Sequence, residues 1–378
     1  MESIIKIEDK IGRLGTKDKE LFETIFNVSS SEGRLKIPST FRAKVRTYFG
    51  NRDKDGRIIE SEEEVVERIS TQIVVRTYNK LTGEGALFNW LRAGRPGMRP
   101  EEEIIEKGKI YEHIKKTTAN CDFCEPEKYT SEDVFGKGRV KGKHCITGAN
   151  IAKYDAWSGM VYFRRHNPLE FNQDELSDYI ETGFKWFEKV HQYNKEFKYP
   201  FFLWNCLEKA GASQVHGHAQ VLMGRVIHYA KVDMLIRLVQ RYKEERRRDY
   251  FKELYAAHDL VGLAHSYKNV RIFAYLTPIK EKEILIITSV PPSENDNVKR
   301  AIFKTLRCFI DKLGVTSFNL TISMPPFGDS VGFPYIVRIV DRGSIFKPTS
   351  DMGGMELYGS NVIATDPYTV IKALKEYY

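Results

Sequence analysis

The chain has 378 residues, 42% of them hydrophobic, with a formal net charge of +8, enough for a substantial core in two halves or domains and a positive balance that suits phosphorylated ligands or nucleic acid. No run of about 18 uncharged apolar residues occurs and charge begins at Glu2, so neither a membrane-spanning helix nor a secretory signal is expected, and a cytoplasmic location follows. Five cysteines at irregular spacing argue against a disulfide framework.

Residues 1–70 read as a charged extension of unassigned role, with one amphipathic helix over Asp18–Phe26 that places Leu21, Phe22, Ile25 and Phe26 on one side. From Thr71 the pattern becomes β: Ile73-Val74-Val75, a turn at Leu81-Thr82-Gly83-Glu84-Gly85, and Ala86-Leu87-Phe88 predict a hairpin. Residues 71–230 continue with a strand at Met160–Phe163 and a helical stripe of Leu176, Tyr179, Ile180, Phe184, Phe187 and Val190. Phe201–Trp204 then leads by a loop to a strand carrying His216.

Residues 231–378 open with a helix over Leu235–Tyr255 that holds Arg246-Arg247-Arg248 in its middle, a charge run that reads as a solvated face. A strand at Ile284–Ile287, a stripe of Val298, Ile302, Leu306 and Phe309, and strands at Phe318–Ile322 and Tyr335–Val340 follow. The same strand, helix, strand, strand unit is thus used twice. The second copy has Pro334–Arg338 where the first has its histidines, so one half is expected to be catalytic.

The most informative run is Gln214-Val215-His216-Gly217-His218-Ala219-Gln220, read as an extended segment on which both imidazoles and the Gln220 amide share one face. His-x-His pairs also occur on ordinary strands and as metal ligands, so context decides. The run, preceded by Gly211-Ala212-Ser213, resembles the His-x-His-x-Gln signature of the galactose-1-phosphate uridylyltransferase family, the nucleotidylyltransferase branch of the histidine-triad superfamily. Weaker likenesses are the Leu81–Glu84 hairpin followed by Leu91–Pro96, Cys121-Asp122-Phe123-Cys124 with His166, and Gly353–Leu357. Together they span roughly residues 70–378.

The resemblance implies an α+β fold of two histidine-triad-like halves, with antiparallel sheets flanked by helices, in a homodimer. It implies His218 as the nucleophile that takes a nucleotidyl group and passes it on, with Gln220 donating to a phosphoryl oxygen. Arg92 and Arg95 would grip phosphate with their guanidinium forks, and Asn205 would contact nucleotide and phosphate. Gly211 and Ser213 would supply donors, although Ser213 reads equally well as a loop residue bonding its own backbone. Glu356 would touch the hexose. Cys121 and Cys124 at Cys-x-x-Cys spacing suit zinc or redox exchange, and redox is disfavoured because no strand feeds the motif into a helix. The resemblance completes a structural zinc site with His166 and His216. No second metal is expected, since Ile336–Ile339 stands where a further His-x-His strand would be.

Two departures bear on substrate. Gly217 stands where most uridylyltransferases of the family have proline, and the lysine and glutamine flanking the sugar-contacting glutamate have no clear counterparts. The expected reaction is ping-pong exchange of UMP between UDP-glucose and galactose 1-phosphate, with a nucleotide sugar and a hexose 1-phosphate as partners and no membrane. A phosphorolytic transferase of the ADP-glucose, dinucleoside-polyphosphate or ADP-sulfurylase type is the alternative. A basic RNA-binding protein using Arg246–Arg248 is the rival from another class, disfavoured because it leaves the histidine run unexplained.

Overall fold

The structure is a computed structural model that describes residues 2–53, 55–94, 100–328, 332–347 and 352–378. Its strands are β1 (Phe26–Arg34), β2 (Thr71–Asn79), β3 (Gly85–Phe88), β4 (Cys145–Ala149), β5 (Trp157–Phe163), β6 (Tyr199–Cys206), β7 (His218–Gly224), β8 (Ala264–Tyr267), β9 (Val270–Ala274), β10 (Ile284–Thr288), β11 (Phe318–Ser323), β12 (Tyr335–Asp341) and β13 (Asn361–Ile363). β5, β7 and β10 are buried along their whole length; β10 and the second half of β5 are accordingly apolar on both faces, whereas β7 alternates His218 and Gln220 with Ala219 and Val221.

Nine strands form one sheet in the order β4-β5-β7-β6-β11-β12-β10-β9-β8. The two predicted repeat units are the halves of that sheet. β5-β7-β6 mirrors β10-β12-β11, and the halves join edge to edge where β6 pairs antiparallel with β11, from Phe201↔Ser323 to Cys206↔Phe318. The helices Gln173–Tyr193 and Asp296–Asp311 begin with Asn172 and Asn295 as side-chain caps. Their apolar faces enter the main core, where Trp186, Phe187, Phe202 and Phe309 are fully buried. Gly159 and Gly183 allow this close approach, since a methyl group on either would come within 3.0 Å of Trp186 or Phe202.

A smaller sheet has the order β1-β2-β3-β13. β1 pairs with β2 over nine residues, from Phe26↔Asn79 to Arg34↔Thr71. Strand pairing therefore crosses the boundary expected at residue 70, and Ile7, Phe22, Ile25 and Phe26 belong to the main core. The predicted amphipathic helix runs over Thr16–Ile25, and Phe26 already starts β1. β13 lies parallel to β3, an exception to the antiparallel pairing of the other strands.

One expected helix is broken. Leu235–Tyr255 divides into Ala230–Arg246 and Tyr250–Leu260, because Arg247 takes a left-handed φ of 58° and Asp249 caps the second helix by accepting from the Phe251 and Lys252 N–H groups. The arginine run is the joint between two helices. No described helix is long and apolar enough to cross a membrane.

Candidate functional site

β7 begins at His218, later than the extended run predicted from Gln214, and His216 and Gly217 lie in the bend before it. On the strand, His218 and Gln220 are two apart and share a face. His216 instead turns its ring into a cluster of sulfur and nitrogen atoms.

That cluster consists of Cys121, Cys124, His166 and His216, whose candidate ligand atoms all lie within 4.8 Å of one another. His216 Nδ1 is 3.3 Å from Cys121 Sγ, 3.5 Å from Cys124 Sγ and 3.2 Å from His166 Nδ1, and Cys124 Sγ is 3.4 Å from His166 Nδ1. A tetrahedral zinc ion with ordinary bond lengths requires about 3.3 Å between two nitrogens and about 3.6 Å between nitrogen and sulfur. These four edges agree to within a few tenths of an ångström.

The outer nitrogens are committed elsewhere. His216 Nε2 donates to Phe163 O at 2.7 Å, and His166 Nε2 to Ile114 O at 3.1 Å, with Thr117 Oγ1 at 3.0 Å. Both protons therefore sit on Nε2, and two Nδ1 lone pairs face each other beside two thiols. The donor set and its orientation fit a metal ion. Burial, and then the neighbouring Cys121, push the Cys124 thiol up to about 11, and burial above all lowers His216 to about 4.

His218 is buried, and its Nδ1–H donates to the His216 carbonyl at 2.7 Å. This bond fixes the tautomer that leaves the Nε2 lone pair available. Burial lowers the His218 pKa, so the ring is neutral near pH 7. The Phe123 ring stands edge-on to both His216 and His218, with centroids 6.0 and 5.4 Å away. The Cys-x-x-Cys turn thus walls His218 as well as carrying two sulfurs. Gln220 Oε1 is buried with no hydrogen-bond partner, an acceptor that protein interiors rarely leave unmet.

Gly217 fits its place for steric reasons. A methyl group on it would lie 2.6 Å from Phe163 Cδ2, and its N–H donates to His166 O at 3.0 Å. Proline there would lose that bond, so the glycine ties the bend directly to the His166 segment.

Beyond β6 the chain turns through Leu207, a buried residue at φ 67°, into the short 3-10 turn Glu208–Ala210 and then Gly211 at φ 93°. The glycine meets a left-handed requirement, whereas Leu207 holds its positive φ at a cost in backbone strain. Asn205 is buried, and its Oδ1 accepts from Asn319 Nδ2 at 2.6 Å. Ser213 is exposed on the same loop.

Arg92 lies in the turn Trp90–Gly94, which leaves β3 toward the helix Pro100–Lys116 whose far end supplies Ile114 O to His166. Arg95 lies outside the described residues. Glu356 sits on the short helix Gly354–Tyr358 against β13, and its Oε2 accepts from the Gly353 N–H at 3.0 Å. Among the described residues no contact joins Glu356 to the histidines.

Sequence reasoning missed Asn319, which reaches Asn205 from the second half, and Arg342, which donates to Asn319. It also left Glu84 in a phosphate-gripping hairpin. Glu84 is bonded instead to Arg338 Nη1 at 2.7 Å and Tyr275 OH at 2.5 Å, which docks the hairpin onto β12. Arg338 Nε also donates to the fully buried carboxylate of Glu283 at 2.6 Å. Burial opposes charge on both acids, and Arg338 outweighs it at Glu84 but not at Glu283, whose pKa stays raised.

No protein-family model matches the chain, and no curated protein matches its sequence. Solved structures do. An ADP-glucose phosphorylase from Arabidopsis thaliana with bound ADP-glucose superposes with a TM-score of 0.60 at 18% identity, covering 79% of this chain and 97% of that one. A GalT-like protein from the same plant gives 0.56 at 18% identity over 69% and 93% of the two chains. A uridylyltransferase gives 0.52 at 13% identity over 63% and 85%. At these identities the likeness is one of architecture, and it agrees with the paired half-sheets: the chain has the fold of the galactose-1-phosphate uridylyltransferase type.

Proposed function

We propose that this protein is a nucleotidylyltransferase that works through a covalent nucleotidyl-His218 intermediate. The observation that carries the reading is the His218 ring, buried, with Nδ1–H on the His216 carbonyl, on the same strand face as the unpaired Gln220 carboxamide. In the first step Nε2 attacks the α-phosphorus of a nucleoside diphosphate sugar. The N–P bond forms as the bond from phosphorus to the bridging oxygen breaks, and that electron pair leaves with the sugar 1-phosphate. The positive charge on the ring is met by the His216 carbonyl, which holds the remaining ring proton. In the second step an oxygen of an acceptor phosphate displaces His218, and two inversions give net retention at phosphorus.

Gln220 and Asn205 are assigned to the phosphoryl oxygens, and donors fixed in advance contribute strongly to such steps. The Gly211 and Ala212 N–H groups are already bonded to the Glu208 and Leu207 carbonyls, so Gly211 is assigned to shaping the loop beside them. Ser213 and Arg92, with Arg95, are assigned to the nucleotide phosphates, and Glu356 to the sugar. Cys121, Cys124, His166 and His216 would hold a zinc ion that cross-links the Cys-x-x-Cys turn to the bend before β7. Because His216 also provides the carbonyl that orients His218, the same bend serves both sites.

The donor is a nucleotide sugar, with UDP-glucose and a hexose 1-phosphate acceptor as the first reading. Phosphorolysis of an ADP-sugar is the second, favoured by the near-complete overlap with the ADP-glucose phosphorylase. Intact-protein mass spectrometry of wild type and His218→Ala after mixing with UDP-glucose, ADP-glucose or GDP-sugars decides. A UMP adduct on wild type alone supports the first reading and an AMP adduct the second. No adduct with any donor would overturn the transferase assignment.

A further inference from the structure

We propose that Asn319, contributed by the second half of the molecule, is a positioning residue that sets the polarity of the Asn205 amide beside His218. The inference rests on the nucleotidyl-transfer reading. Its starting point is the seam of the sheet, where Asn319 pairs directly with Asn205. The β6–β7 ladder ends at Leu203↔Gln220, and its register carried two residues further brings Asn205 level with His218, so that Asn319, Asn205 and His218 share one side of β11, β6 and β7.

An asparagine carboxamide has a donor end and an acceptor end of nearly the same shape, and only its partners decide which faces which way. Here the decision begins at Arg342, whose guanidinium can only donate. It donates through Nη1 to Asn319 Oδ1, so the Asn319 NH2 group must point the other way. That group spends one hydrogen on Asn205 Oδ1 at 2.6 Å and the other on the Ala210 carbonyl at 2.9 Å. Asn205 is thereby obliged to turn its own NH2 away from the seam. It faces the loop at Gly211, where a methyl group would lie 3.9 Å from Asn205 Nδ2. The consequence is a hydrogen-bond donor, rather than an acceptor, at the place where a phosphoryl oxygen has to sit. The Ala210 bond also ties the 3-10 turn before Gly211 to the same side chain.

The sharpest test is Asn319→Asp. Aspartate keeps a partner for Arg342, so the fold is retained, but it can only accept, and Asn205 must then flip to donate to it. An acceptor would face the phosphoryl group. The rate of nucleotidyl-adduct formation from whichever nucleotide sugar labels wild type should fall by about 10²-fold, the scale of losing one preorganised donor. Asn205→Ala should cost a similar factor, and the double variant no more than Asn205→Ala alone.

A direct repulsion between the new carboxylate and the nucleotide would persist without the Asn205 amide, so multiplicative losses would overturn the proposal. An unchanged rate in Asn319→Asp would overturn it as well. Should that variant fail to fold, Asn319→Ala carries the same cycle, with a smaller loss expected because the Asn205 amide is freed rather than inverted. The transfer reading itself fails differently, through absence of any adduct on wild type.

Discussion

The two halves of the large sheet tie an outlying segment to equivalent strands by different chemistry. In the first half, the Cys121–Cys124 turn is held to the bend before β7 by two sulfurs and two imidazoles. In the second, the β2–β3 hairpin is held to β12 by Arg338 between Glu84 and Glu283. The first anchor leaves His218 and Gln220 on its strand face outside the cluster, because the cluster takes His216 instead. The second fills its strand face, since Arg338 lies between two carboxylates and under the Tyr275 ring. One framework thus carries two anchors that differ in what they leave on the paired strand, two polar side chains outside the cluster in one half and an arginine held by two carboxylates in the other.

The largest separation should come from removing the group at the centre of each anchor's strand. His218→Ala should lower adduct formation by at least about 10³-fold while the protein stays folded, since it loses the packing of one ring and one hydrogen bond but leaves no charge unpaired. Arg338→Ala should do the reverse. It leaves Glu283 buried and unpaired, which costs about 3–5 kcal/mol of stability, while per-molecule activity at a temperature where the variant stays folded is retained. Chemical denaturation alongside single-turnover labelling checks both, and a stable Arg338→Ala would break the comparison.

Cys124→Ala probes the first anchor in the same currency. Bound metal measured by elemental analysis should fall together with stability, by about 4 kcal/mol if the ion is structural. A variant that loses neither metal nor stability would mean that the cluster holds no ion. Gly217→Ala is a subtler insult at the same bend, because a methyl group at 2.6 Å from Phe163 forces a shift worth about 1–3 kcal/mol. Since that shift passes through the carbonyl that orients His218, labelling should slow as well as stability fall.

How far these features could be read from sequence depended on the range of the interactions. The strand-helix-strand-strand units were visible because each rests on local periodicity. The gathering of Cys121, Cys124, His166 and His216 was accessible only through resemblance, since spacing links the two cysteines but places neither histidine. Asn319 and Arg342 were invisible because their meaning lies in the β6–β11 register, between residues 114 apart. β1 escaped because its Ser-Ser-Ser-Glu-Gly stretch has low strand propensity, and it forms only because β2 offers a full-length partner. The break at Arg247 escaped because an arginine in a left-handed cap carries none of the signal that a glycine would.

The smallest effect sharpens the comparison most narrowly. The equivalent helices Gln173–Tyr193 and Asp296–Asp311 both start on an asparagine cap, and replacing either Asn172 or Asn295 by alanine should cost about 1 kcal/mol. The caps differ at the third helical position. Glu175 returns a bond to the Asn172 N–H at 2.8 Å, whereas Val298 occupies that position in the second half. Glu175 also accepts from Arg165 Nε and Nη2 at 3.1 and 3.0 Å, and Arg165 immediately precedes His166. The first-half cap is therefore wired into the Cys/His cluster, so Glu175→Ala should loosen retention of any bound metal in a chelator competition, and Val298→Ala should not. Equal retention in the two variants would show that the cap and the anchor act independently.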